Sequence, residues 1–216
     1  MAAQLSGPRL QELYDRLWQA FGSQGWWPGD TPFEVALGAI LTQNTNWRNV
    51  ARVMASLKEA GLMDAAALQA MPLAQLADRL RPAGYYNVKA QRVQHFLDFL
   101  SGFRNSMELL AQEDLDDLRP RLLQVKGVGP ETADSILLYA LDKPTFVVDA
   151  YTFRILHRHF LAPEDFSYED LRQWFMEHLP PEVAYYQEYH ALLVKLGKDF
   201  CRPKPRCQGC PLENWP

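Results

Sequence analysis

Hydrophobic positions recur along this chain with the period of a helix. Leu10, Leu13, Tyr14, Leu17, Trp18 and Phe21 fall at i, i+3, i+4, i+7, i+8 and i+11, so one stripe carries all six and predicts a first helix with a buried face. The turn from Gly22 to Gly29 breaks this pattern. Thr31-Pro32-Phe33-Glu34 then supplies a capping threonine, a proline at the first helical position and a glutamate three residues after the cap. A second helix is expected from there through Val35, Ala36 and Ile40 to the polar stretch Thr42 to Asn46, and Val50, Val53, Met54 and Leu57 mark a third that ends near Gly61. Shorter helical segments are expected over 64–81. Gly84 stops that run, and Val88 to Leu100 restarts it with Val93, Phe96, Leu97 and Leu100 on one face. Thr145-Phe146-Val147-Val148 alone reads as extended, and four residues between two helical patterns imply no sheet. The expected fold class is all-α.

The most informative stretch begins at Asp114. Leu115, Leu118, Leu122 and Leu123 make a short amphipathic helix, Val125-Lys126-Gly127-Val128-Gly129 follows, and Pro130 opens another helix carrying Ala133, Ile136, Leu137 and Leu141. This is the pattern of a helix-hairpin-helix. Both glycines are expected to allow positive φ and to bring backbone N–H groups close to a phosphate, with the following helix start adding the positive end of its dipole. A bare G-x-G is more often an ordinary tight turn, but here both flanking helices are present. Downstream, Asp149 follows an apolar segment and opens a helix through Phe153, Ile155 and Leu156, where an aspartate is most simply a cap.

Composition narrows the classes. The chain has 216 residues, 48% of them apolar, and a mean hydropathy of -0.27, which excludes a disordered tail or a disulfide-stapled mini-protein. It has no uncharged apolar run of spanning length, and Met1 to Gly22 lacks the basic, apolar and small order of a signal peptide, so no membrane partner and a cytoplasmic location are expected. The net charge of -4 means that nucleic acid must be gripped by a local patch. Lys195, Lys198, Arg202, Lys204 and Arg206 against Asp199 supply one. A solvated charged tail is the plainer alternative.

Taken together, the segment LLQVKGVGPETADSILLYALDKPTFVVDAYTFRIL resembles the helix-hairpin-helix, Gly/Pro-rich loop and aspartate signature of the endonuclease III superfamily of DNA base-excision glycosylases. Leu41-Thr42-Gln43-Asn44-Thr45, Gly84-Tyr85-Tyr86-Asn87-Val88-Lys89-Ala90 and the C-terminal cysteines are also similar to that family, so the likeness covers nearly the whole chain. It implies that Asp149 is the catalytic carboxylate, stabilising positive charge on the sugar and helping a nucleophile attack C1′. It implies that Lys126, Gly127 and Gly129 hold phosphate. In bifunctional members a lysine two residues after the second hairpin glycine forms a Schiff base, and here that position is Glu131, so no lysine-type lyase activity is expected. Glu131 is then most simply an acidic residue in a first helical turn.

The target base must be flipped out of the duplex, which requires a wedge and a pocket. Gln43 and Asn44 align with the family's wedge segment; which of the two intrudes is open, as is a role for both as helix caps. Trp26-Trp27-Pro28, with Trp47, resembles the base pocket of the small 3-methyladenine glycosylases of this superfamily, although Trp47 stands where that subgroup often has another aromatic. Electron-rich faces select a cationic N-alkylated purine by stacking and cation–π attraction. At least one of Trp26 and Trp27 is expected to be a core anchor instead.

The tail places Cys201, Cys207 and Cys210 at C-x5-C-x2-C within the last sixteen residues. Three cysteines so placed suit a metal or cluster better than a secretory disulfide framework. Many relatives bind a [4Fe–4S] cluster here through four cysteines, but the position that would hold the fourth is Pro216. Three readings stand open: a degenerate loop held by packing, which is favoured; a cluster or zinc completed by an outside ligand; or a chain cut short of its fourth cysteine. No cofactor is needed for the chemistry. The resemblance implies two helical lobes with a DNA-binding cleft between them: a central bundle over 30–140 ending in the hairpin unit 114–141, and a second lobe of 1–29 plus 141–216. The expected protein is a monomer acting on double-stranded DNA with a damaged base, 3-methyladenine first among candidates. A mismatched or oxidised base is the alternative substrate, and a non-catalytic helix-hairpin-helix DNA binder the alternative class.

Overall fold

The structure is a computed structural model, and it describes residues 7–215. Twelve α-helices follow in chain order among these residues: α1 Gly7–Phe21, α2 Pro32–Leu41, α3 Trp47–Glu59, α4 Ala65–Gln69, α5 Leu73–Arg79, α6 Tyr86–Ser101, α7 Met107–Leu110, α8 Leu115–Leu123, α9 Pro130–Ser135, α10 Ala150–Arg158, α11 Tyr168–His178 and α12 Val183–Asp199. A 3-10 turn at Arg81–Ala83 precedes α6, and a π-helical turn at Ile136–Ala140 prolongs α9. The described residues contain no strand, and Phe146, Val147 and Val148 are buried as a connecting segment. The fold is all-α. No helix among the described residues is long and apolar enough to cross a membrane.

The chain divides into two compact units, one spanning Trp27–Lys143 and the other joining the segment that ends at Trp26 to the chain from Pro144 onward. In the first, α2 is the central element, since every residue from Phe33 to Leu41 is buried. A helix apolar nearly all round has to be enclosed by others, and α3, α6, α9 and the π turn pack against it. Thr31 caps α2 by accepting from the Glu34 N–H at 3.2 Å, as the spacing predicts. The Glu34 carboxylate reaches one residue further back, to the Asp30 N–H at 2.9 Å, because Lys58 of α3 holds it at 2.7 Å. In α6, Lys89 is buried and donates to the Ala83 carbonyl at 2.8 Å, closing the end of the 3-10 turn. Between α8 and α9, Arg119 makes a two-pronged ion pair with the fully buried Asp134 at 2.8 and 2.9 Å, which fixes the two hairpin helices.

In the second unit α1 and α10–α12 surround an aromatic core. Phe146 stacks on Phe175 with centroids 3.9 Å apart, and Tyr189 donates to the Leu10 carbonyl at 2.7 Å. The stripe on α1 is narrower than its spacing suggests: Leu10, Leu13 and Leu17 are fully buried, whereas Trp18 is 41% exposed. At 3.6 residues per turn Trp18 lies about 80° round from Leu10, at the edge of the stripe, where it stacks on Tyr14. Helix α12 lies flush on α10 because Gly197 has no side chain, and a Cβ there would sit 2.2 Å from the Tyr151 ring.

Candidate active site

The hairpin turn runs from Val125 to Gly129 between α8 and α9. Gly127 adopts φ +94, as expected, but Gly129 is extended at φ -92 and ψ 177, so only the first glycine uses a left-handed backbone. The second has a different use. A Cβ on Gly127 would stand 2.3 Å from Arg92 Cγ, whereas one on Gly129 meets nothing within 4 Å, so the backbone at Gly129 is open to a ligand. Lys126 projects into solvent, and its carbonyl lies 3.0 Å from His95 Nδ1 of α6. Glu131 lies exposed in the first turn of α9, where its backbone carbonyl accepts from Ser135 Oγ at 2.7 Å.

The two amides of the α2–α3 turn have different surroundings. Gln43 donates to the Gly127 carbonyl at 3.0 Å and to Thr132 Oγ1 at 2.8 Å, and its own oxygen accepts from Arg92 Nη1. It ties this turn to the hairpin. Asn44 is exposed at φ +54, in a left-handed conformation that asparagine tolerates. Neither caps a helix, because the cap of α3 is Asn46, which accepts from the Asn49 N–H at 3.1 Å. Tyr85 was not singled out by its sequence surroundings, yet it is 73% exposed and left-handed at φ +46, at the start of α6.

Trp27, Trp47 and Tyr139 form an aromatic cluster: Trp27 meets Trp47 edge-on at 5.7 Å and Tyr139 at 5.3 Å. Gly38 of α2 forms its floor, since a Cβ there would lie 3.3 Å from both indoles. Tyr139, in the π-helical turn after α9, is distant in sequence from the tryptophans and carries no motif that announces it. The tandem tryptophans are both part-buried, and they part company. Trp26 belongs to the other unit, where Lys198 Nζ stands 4.8 Å from its ring centroid, while Pro28 is exposed.

Asp149 caps α10. Its Oδ1 accepts from the Thr152 N–H at 2.8 Å and from Thr152 Oγ1 at 2.9 Å, and only 8% of the residue is exposed. His190 of α12, which has no motif to announce it, places Nε2 3.7 Å from Oδ2. Burial pushes the Asp149 carboxyl up, but His190 and the Thr152 bonds outweigh this and hold it below the ordinary aspartate value. The group is an anion in a nearly dry setting, which is the state needed to stabilise a developing cation.

In the tail, Cys201 is buried and its Sγ accepts from Arg158 Nη1 at 3.3 Å; Cys210 is part-buried and Cys207 exposed. These three line a cavity of about 350 Å³ together with His159, Arg206 and Glu213. Among the described residues, no group of three or more His, Cys, Asp or Glu side chains is arranged to hold a metal ion, and Pro216 lies outside the described residues. Among the described residues the tail offers three thiols, one of them accepting from a guanidinium, where a four-thiolate cluster takes four. Arg158 also donates to the Arg202 and Pro203 carbonyls at 2.6 and 2.9 Å. Of the basic patch, Lys195 pairs with Asp199 at 2.8 Å, and Arg202, Lys204 and Arg206 lie exposed on the loop.

The family model described as HhH-GPD superfamily base excision DNA repair protein matches residues 37–181. The protein named "Putative DNA repair glycosylase MJ1434" of Methanocaldococcus jannaschii is 42% identical over 208 residues, 95% of this chain and 94% of that protein. The crystal structure of an H. pylori 3-methyladenine DNA glycosylase (MagIII) bound to 1,N6-ethenoadenine superposes with a TM-score of 0.78 at 28% identity, covering 90% of this chain and 98% of that one. A non-covalent endonuclease III–DNA complex gives a TM-score of 0.81 at 24% identity over 97% and 94% of the two chains, a likeness of fold.

Proposed function

Since the chain belongs to the HhH-GPD superfamily of base excision DNA repair proteins, we propose that it is a monofunctional DNA glycosylase that flips a damaged base out of double-stranded DNA and hydrolyses its N-glycosidic bond, with an N-alkylated purine such as 3-methyladenine as substrate. The observation that carries this reading is Asp149, a buried carboxylate held as an anion at a helix start, in a chain whose Glu131 stands where a lyase amine would be. Breaking the C1′–N bond sends its electron pair to the base and leaves oxocarbenium character on the sugar. A fixed anion lowers that barrier, and with Oδ1 committed to Thr152, Oδ2 is the oxygen left to take the proton of the attacking water. A carboxylate at Glu131 forms no imine, so water is the nucleophile.

The hairpin at Lys126, Gly127 and Gly129 is proposed to grip backbone phosphate, with the exposed Arg202, Lys204 and Arg206 as a second contact. Lys195 and Lys198 add charge there while bound to Asp199 and Trp26. Asn44 rather than Gln43 is the wedge, because the amide of Gln43 is spent on the hairpin; exposed Tyr85 is a second residue placed to enter the stack. The aromatic cluster of Trp27, Trp47 and Tyr139, with the 3-methyladenine glycosylase likeness, supports the substrate class: an N-methylated purine is cationic, leaves as a neutral base and needs little acid assistance. The reaction takes place in the cytoplasm, with the chromosome.

A single-turnover panel tests this reading. Duplexes holding 3-methyladenine, uracil or thymine mispairs, or 8-oxoguanine are compared, with Trp27→Ala and Tyr139→Ala alongside. The expected result is free 3-methyladenine, released more slowly by both variants. Release confined to a mispaired or oxidised base refutes the alkylpurine assignment.

A further inference from the structure

Asp149 is held from two sides, and only one of them was visible in the sequence. Oδ1 is committed to the start of α10, where it accepts from the Thr152 N–H and hydroxyl at 2.8 and 2.9 Å. A carboxylate fixed through one oxygen can still turn its plane about that anchor. Oδ2 faces α12, where His190 Nε2 stands 3.7 Å away, and both residues are nearly dry, with 8% of Asp149 and 4% of His190 exposed. The approach is built into the helix packing. Gly197 lies seven residues beyond His190, on the same face of α12, and its missing side chain lets that face close on Tyr151 of α10, where a Cβ would sit 2.2 Å from the ring. Tyr189, next to His190, anchors the same helix to α1 through the Leu10 carbonyl at 2.7 Å.

We propose that His190 is the positioning residue for Asp149: its imidazole edge fixes the carboxylate plane through Oδ2 and keeps the group anionic for the glycosidic cleavage proposed above, on which this inference rests. An imidazole nitrogen does this as an N–H dipole when neutral and as a charge when protonated. The need for it is physical, because a carboxylate removed from water stays ionised only where fixed polar groups replace its hydration. Burial alone raises the Asp149 carboxyl, and His190 is the foremost of the groups that reverse this. Other groups bear on the pair: Lys198, two turns further along α12, feels the Asp149 charge, and the Tyr168 hydroxyl of α11 lies 3.5 Å from the Val148 N–H just before it.

The test uses the full chain with His190→Leu and His190→Asn. Ionisation of Asp149 is followed through its carboxyl carbon by NMR, assigned with Asp149→Asn, and the pH profile of single-turnover base release is measured in parallel. In the leucine variant the midpoint rises, and the acidic limb of excision moves with it, so that rate is lost on the acid side and regained in alkali. The asparagine variant, which keeps a donor without a charge, lies between. A leucine variant that unfolds and binds duplex like wild type but shows an unmoved midpoint overturns the proposal. Should the leucine variant fail to fold, an asparagine variant with the wild-type midpoint overturns it instead. The two readings fail separately: a raised midpoint in a protein that releases no base from any duplex refutes the glycosylase reading and leaves the pairing standing. Base release with an unmoved midpoint refutes the pairing alone.

Discussion

Substituting the two hairpin glycines should separate folding from DNA contact. In Gly127→Ala the new methyl meets Arg92 at its Cγ, 2.3 Å away, and at its Cδ and Cβ, 3.0 and 3.2 Å away, so the base of that side chain has to move rather than its flexible tip. Arg92 then leaves Gln43, and the tie between the α2–α3 turn and the hairpin is weakened. Holding alanine at φ +94 costs about 1–2 kcal/mol, and losing a charge-assisted hydrogen bond about 1.5–3 kcal/mol. Against this, alanine restricts the unfolded chain and returns about 0.4–1 kcal/mol, leaving a net loss of about 3 kcal/mol. At about 2–4 °C per kcal/mol for a chain of this size, the melting temperature should fall by about 6–12 °C. Gly129→Ala is the control: its φ of -92 suits alanine and its Cβ meets no neighbour, so stability should change by no more than about 1 kcal/mol. The methyl would nevertheless stand on the open backbone proposed to face phosphate. Calorimetry and fluorescence anisotropy with an abasic-site duplex read the two effects. A Gly127→Ala protein that melts with wild type, or a Gly129→Ala protein that binds DNA with wild-type affinity, refutes the division of roles.

Three further outcomes are expected. Arg119→Ala removes the guanidinium that faces the fully buried Asp134 and should cost about 3–5 kcal/mol in urea unfolding; a loss under about 1 kcal/mol would mean that this pair does not fix the hairpin helices. Asp149 titrates below its ordinary value in the folded chain, so its charge stabilises the fold above the unfolded carboxylate range, near about pH 4, and that contribution disappears as pH falls through the lower folded value. The difference in melting temperature between wild type and Asp149→Asn, which keeps a capping oxygen, should therefore be flat near neutrality and shrink in acid; growth in acid contradicts the depressed value. Glu131→Lys puts an amine at the lyase position in the exposed first turn of α9 and should yield a borohydride-trapped DNA adduct that wild type does not form.

Local chemistry explains what could be read without coordinates. The Thr31-Pro32-Glu34 start of α2, the stop at Gly84 and the two helices of the hairpin are written in neighbouring residues, and they stand where the spacing put them. What escaped was set by partners distant in the chain. Gly129 looked like Gly127 by type, but only Gly127 lies beneath Arg92, a residue of α6. Gln43 and Asn44 are adjacent amides of similar chemistry; the hairpin carbonyl and Thr132 distinguish them. Tyr139 and His190 carry no motif, and they join the aromatic cluster and Asp149 only because α2 and α12 pack where glycines at 38 and 197 allow close approach. Lys58, another distant partner, holds the Glu34 carboxylate where it accepts from the Asp30 N–H.

Hydrolysis of an N-glycosidic bond by water with the aid of Asp149 has a distinct product signature. Its most direct test is the release of labelled 3-methyladenine from duplex DNA by wild type and by Asp149→Asn, with strand breaks scored before and after alkali. Wild type should release free base, the variant should lose at least about a hundredfold in rate, and breaks should appear only after alkali. Undiminished release by a folded Asp149→Asn protein, or breaks without alkali, would contradict it.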